Sequence, residues 1–125
     1  MGSSFEIDPE KGLILSSYWG EVKADEILAH IRAVHADPRF RKGMHSLADF
    51  SQARIADADL EAIFRFTDVV KDEVQHVRGS CRWALVVPDT GNRSLARLFQ
   101  LMGGDLMITV EIFDNRPEAL AWLTH

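Results

Sequence analysis

The chain has 125 residues, 46% of them hydrophobic and 26% charged, which is the balance of one globular domain with one core and too little for two ordinary domains. Its 14 basic and 19 acidic side chains leave a net charge of −5, a field that does not attract phosphate backbones, so a nucleic-acid partner is disfavoured. The single cysteine, Cys81, excludes an intramolecular disulfide and a thiol zinc cluster and fits a reducing cytoplasmic setting, and no apolar run approaches the roughly 20 residues of a membrane span.

Residues near 5–8 and 12–19 read as two short strands. Asp8-Pro9-Glu10-Lys11-Gly12 joins them, Pro setting φ and Gly free to take positive φ. A helix near 23–36 follows, with Ala24, Ile27, Leu28, Ile31, Val34 and His35 on one face, and Asp37-Pro38 stops it. His45-Ser46-Leu47-Ala48-Asp49-Phe50 reads as a third strand. The strongest periodic signal is a second helix near 57–77, striped by Leu60, Ile63, Phe64, Thr67, Val70, Val74 and Val77. Asp57 is its expected N-cap, with Asp59 and Glu61 favouring the positive helix start.

Cys81 to Val87 is a mostly apolar run, as in a buried central strand. Pro88 through Asn92 turn the chain. A third helix carries Leu95, Leu98, Phe99 and Met102 and ends at Gly103-Gly104. Met107 to Phe113 is a last strand, and Asn115 with Glu118 opens a terminal helix at capping-box spacing. The order ββαβαβαβα predicts an α/β fold: a mostly parallel sheet of about five strands, an initial antiparallel hairpin and four helices. No linker, repeat or low-complexity tract divides residues 1–125, so a single domain is expected.

Three stretches stand out together: Asp49-Phe50-Ser51 leading to Asp57, Trp83-Ala84-Leu85-Val86-Val87 with Ser94 to Gly104, and Val110 to Leu120. Together they resemble the SpoIIAA-like group of STAS domains (sulfate transporter and anti-sigma-factor antagonist). The first is similar to that family's strand end and helix start, the second to its fourth strand and following helix, and the third to its last strand and helix. Trp19-Gly20, Asp37-Pro38-Arg39-Phe40 and Glu118-Ala119-Leu120-Ala121-Trp122-Leu123 look more like the stand-alone bacterial STAS/SEC14-like proteins. Aligned on Asp57, the family's two serines fall on Ala58 and Asp59 and its glycine on Leu60. The phosphorylatable hydroxyl is therefore missing, and Asp59 carries less charge than a phosphate.

The resemblance implies a non-enzymatic regulatory module that docks its 49–66 region on a regulatory protein partner. Asp49, Ser51, Arg54, Asp57, Asp59 and Phe66 are the expected contact residues. The alternative is a small-molecule or lipid carrier, with an apolar ligand between the second helix, the third helix and the sheet. That reading predicts a cavity bordered by Phe64, Trp83 and Phe99.

Other candidates have plainer explanations. Asp49, Asp57 and Asp59 offer too few ligands for a magnesium site and read as caps and loop acceptors. Gly91-Asn92-Arg93-Ser94 at a helix start is an anion candidate but reads as a tight turn. His30 and His35, five apart, miss the spacing that aligns metal ligands on a helix, and His45 and His76 are isolated. Cys81 reads as a small core residue. No nucleophile, base and orienter assemble into a catalytic set, and no cofactor or metal is expected. Sheet edges and apolar helix faces that need covering suggest a homodimer.

Overall fold

The computed structural model describes residues 2–56 and 59–125. Strand β1 (Gly2–Asp8) runs antiparallel to β2 (Leu13–Val22), with Ile7 opposite Ile14. The turn between them forms because Asp8 Oδ1 accepts the amides of Glu10 and Lys11, each at 3.1 Å, while Gly12 takes φ 66°.

Helix α1 (Ala24–Ala36) buries Leu28, His30, Ile31 and Val34, and Asp37 turns extended before Pro38. Strand β3 (His45–Ile55) is followed by α2 (Leu60–Val69), a π-helical turn (Val70–Val74) and α3 (Gln75–Arg78), which run on as one helical rod. Then come β4 (Cys81–Val86), α4 (Thr90–Met102), β5 (Ile108–Phe113) and α5 (Arg116–Leu123). Counting the rod once, the helices number four, as expected.

The five strands lie in chain order, β1-β2-β3-β4-β5, and every pair after the hairpin is parallel. Parallel strands added in chain order by right-handed crossovers put their connecting helices on one face. The packing agrees. Ile31 of α1, Ile63 of α2 and Phe99 of α4 cluster with Cys81 and Trp83 of β4. The opposite face is covered by α5, whose Ala119 and Leu123 pack on Leu13, Leu47, Ala84 and Val86. Alternation along β4 thus aims Cys81 and Trp83 at three helices and Ala84 and Val86 at one.

Two elements differ from the sequence expectation. Strand β3 does not end at Phe50. The β2–β3 register steps from Ser17↔Asp49 to Trp19↔Gln52, so Phe50 and Ser51 together oppose Tyr18 in a bulge, and the strand continues to Ile55. Residues 51–55, which the sequence leaves between the third strand and the second helix, are therefore strand. The second correction concerns helix α2. Its N-cap is Asp59, whose Oδ1 accepts the Ala62 amide at 2.8 Å; Asp57 and Ala58 lie outside the described residues. Within the expected stripe, Ile63, Thr67, Val70 and Val74 are buried, but Leu60, Phe64 and Val77 are exposed. The π turn explains Val77: a wider turn rotates less per residue, so Arg78 comes round to the buried face instead.

Candidate functional site

Between the sheet and the three-helix layer lies an apolar cavity of about 120 Å³. Tyr18, Phe50, Trp83 and Leu85 of the strands line one side; Ile27, Ile31, Phe66 and Phe99 of the helices line the other. The aromatic walls are braced in pairs. Tyr18 stacks on Phe50 at 4.6 Å across the β3 bulge, and Phe66 meets Phe99 edge-on at 5.3 Å.

A group of polar side chains also reaches this cavity: Ser16, His30, Ser46 and Arg78. Arg78 is 3% exposed, and no carboxylate pairs with it among the described residues. Its Nε donates to His35 Nε2 at 2.8 Å and its Nη1 to Ser46 Oγ at 2.5 Å. The guanidinium carbon sits 5.3 Å from the Trp83 ring centroid and 5.7 Å from that of Phe40. Burial lowers the Arg78 pKa to about 10, so the group is still a cation at neutral pH.

Its titratable neighbours among the described residues are all neutral at that pH. Burial, then the charge on Arg78, lowers His30 and His35 each to about 4. Burial pushes the Cys81 thiol up to about 11 and raises the Tyr18 phenol as well. His30 is satisfied by two serines, Nδ1 lying 3.0 Å from Ser3 Oγ and Nε2 2.8 Å from Ser16 Oγ. Trp83 is the exception. Its Nε1 is buried without a hydrogen-bond partner, alone in this among the described side chains.

The expected site residues fall into separate places. Trp83 and Phe99 line the cavity, and Phe64 does not; it is 50% exposed on the outer side of α2. The aromatic that takes its place is Phe66, expected as a partner contact and found on the cavity wall. Asp49 belongs to the other face of the sheet. Its Oδ1 accepts the Ser51 amide at 2.9 Å and its Oδ2 pairs with Arg116 at 3.0 Å. Burial works to raise that carboxyl, and the bonds from Ser51 and Arg116 outweigh it, holding it below the usual carboxylate range. Ser51 is exposed on β3, Arg54 pairs with Glu21 at 3.4 Å on the surface, and Asp59 spends its carboxylate on the cap. Asp57 lies outside the described residues. Among the described residues no three His, Cys, Asp or Glu side chains converge as a metal site.

Asn92 was expected in a turn and lies in the first turn of α4, 2% exposed. Its Oδ1 accepts the Ile55 amide at 2.9 Å and its Nδ2 donates to Ala53 O at 2.8 Å. It thereby pairs the end of β3 beyond the point where β4 has stopped, next to the cavity residues Ile55, Leu95 and Ala96. Arg93 pairs with Asp114 instead of presenting an anion site.

No family model matches the sequence. No curated protein matches it either. Among solved structures, it is similar to an uncharacterized protein of the DUF3478 family with a SpoIIAA-like fold from Shewanella loihica PV-4. The TM-score is 0.60 and the identity 15%, over 98% of this chain and 94% of that one. The chain therefore has a SpoIIAA-like fold. Among the described residues no helix is long and apolar enough to cross a membrane.

Proposed function

We propose that this protein is a non-enzymatic carrier that holds a small apolar molecule between the sheet and helices α1, α2 and α4. The observation that carries this reading is the cavity itself, about 120 Å³ and walled by Ile27, Ile31, Phe66, Trp83, Leu85 and Phe99. Interiors are normally packed to the density of organic crystals, so a space of this size beside braced aromatic rings is a natural ligand pocket. Transfer of an apolar molecule from water into it is driven by the area it buries.

A docking role for the 49–66 region is the second reading. It draws on Leu60 and Phe64, which stand 55% and 50% exposed on α2 beside the Asp59 cap. A regulatory protein or a second copy of this chain would cover them.

Native mass spectrometry on protein purified gently from its host extract separates the two. The carrier reading expects one reproducible small added mass that is lost on denaturation. A stoichiometric protein companion without a small adduct would overturn it in favour of docking.

A further inference from the structure

We propose that the occupant of the cavity is a small apolar carboxylic acid, bound as its anion, with the carboxylate at Arg78 and Trp83 and one ring or short chain against Ile27, Phe66 and Phe99. This rests on the carrier reading and names its ligand class.

Charge is the first argument. Arg78 is buried and has no carboxylate partner among the described residues. Among the described residues the titratable groups that face it are Tyr18, His30, His35 and Cys81, and none is an anion at neutral pH. A buried cation without a counter-charge is costly, and a ligand anion offsets that cost.

Hydrogen bonding gives the second argument, independent of charge. The side-chain hydrogen bonds of Arg78 use Nε and Nη1, while its planar guanidinium carries five donors. Trp83 Nε1, on a ring 5.3 Å from that guanidinium, lacks an acceptor. A guanidinium edge and an indole N–H are both donors, and what they have in common is a need for acceptor oxygens. A carboxylate brings two in one plane, matched to the guanidinium fork.

Size sets the rest of the ligand. An engineered apolar cavity of roughly 150 Å³ accepts benzene, so about 120 Å³ suits a single ring or a short chain rather than a long acyl chain. The walls away from Arg78 are apolar, which disfavours a strongly hydrated inorganic anion.

Calorimetry on the full chain at pH 7 with benzoate and with toluene, its neutral counterpart in size, tests this. Benzoate is expected to bind at one site at least about tenfold tighter than toluene. Trp83→Phe and Arg78→Met are expected to reduce benzoate affinity towards that of toluene while leaving toluene binding in place. The Trp83 indole N–H resonance, assigned by its loss in Trp83→Phe, is expected to move downfield with benzoate and not with toluene. That readout does not depend on how Arg78→Met changes the stability of the fold. Toluene binding as tightly as benzoate would overturn the carboxylate inference and leave the carrier reading standing. Benzoate binding that ignores both variants would overturn the assignment to Arg78 and Trp83. Binding of neither probe would overturn the carrier reading itself.

Discussion

Arg78 Nε donates to His35 Nε2 at 2.8 Å, and one protonation state of the pair satisfies that bond. The guanidinium is charged, so the accepting imidazole nitrogen is bare and His35 is neutral with its proton on Nδ1. His35 lies in the last turn of α1 and Arg78 at the end of the rod that leads into β4. One hydrogen bond therefore ties two elements of the helical layer at the polar side of the cavity, and it depends on pH.

Stability is predicted to fall as pH drops from 6.5 towards 4. His30 and His35 titrate near 6.5 when unfolded and near 4 when folded. Between those values the unfolded chain binds more protons, so stability is complete above 6.5 and is lost progressively below it. Urea midpoints at pH 7, 6 and 5 check this, because the folded-state carboxylates held low by partners, such as Asp49, titrate below that window. A midpoint that stays constant over that range would show that the two imidazoles are not buried neutral.

Arg78→Met is predicted to stabilise the fold at pH 7 by about 1 kcal/mol or more, read as a higher urea midpoint. It removes a buried cation without a carboxylate partner and keeps a side chain of similar reach. The loss of the bonds to His35 and Ser46 works against this but is the smaller effect. A lowered midpoint would mean that the guanidinium is kept as a structural tie and not for a ligand.

Phe66→Ala and Phe64→Ala, two residues apart on α2, are predicted to behave differently. Phe66 forms part of the cavity wall, and its truncation is expected to cost about 2–3 kcal/mol and to widen the range of ligand sizes accepted. Phe64 is half exposed, and its loss is expected to stay within about 0.5–1 kcal/mol. Chemical denaturation of the two variants measures this. Equal costs would contradict the assignment of Phe66 to the interior.

Asn92→Ala leaves the Ile55 amide and the Ala53 carbonyl without their side-chain partner, a loss of about 2–4 kcal/mol. Asp59→Ala removes only a cap and is expected to cost about 1 kcal/mol without altering toluene affinity. An Asn92→Ala cost no greater than that of Asp59→Ala would contradict the role of Asn92 in holding the end of β3.

The strand and helix order, the hairpin and the terminal cap at Asn115 were legible in the sequence, because turn chemistry and apolar period agree there. The places that were not legible depend on tertiary geometry. Nothing local in Asp49-Phe50-Ser51 announces a bulge; it arises from pairing with β2 around Tyr18. Val77 fits an α-helical stripe, and the π turn before it moves it outward and Arg78 inward. Arg78 itself carries no sequence signal of burial, since arginine is rarely interior. Trp83 and Phe99, named from the sequence as pocket residues, line the cavity, but choosing between Phe64 and Phe66 required the actual rotation of α2.

The most direct measurement of the central claim is a toluene titration followed through methyl resonances. The account predicts saturable shifts at Ile27, Ile31, Leu85 and Leu95, which line the cavity, with exposed Leu60 and Leu101 unmoved. No saturable change at the cavity methyls, or changes confined to Leu60 and Leu101, would contradict it.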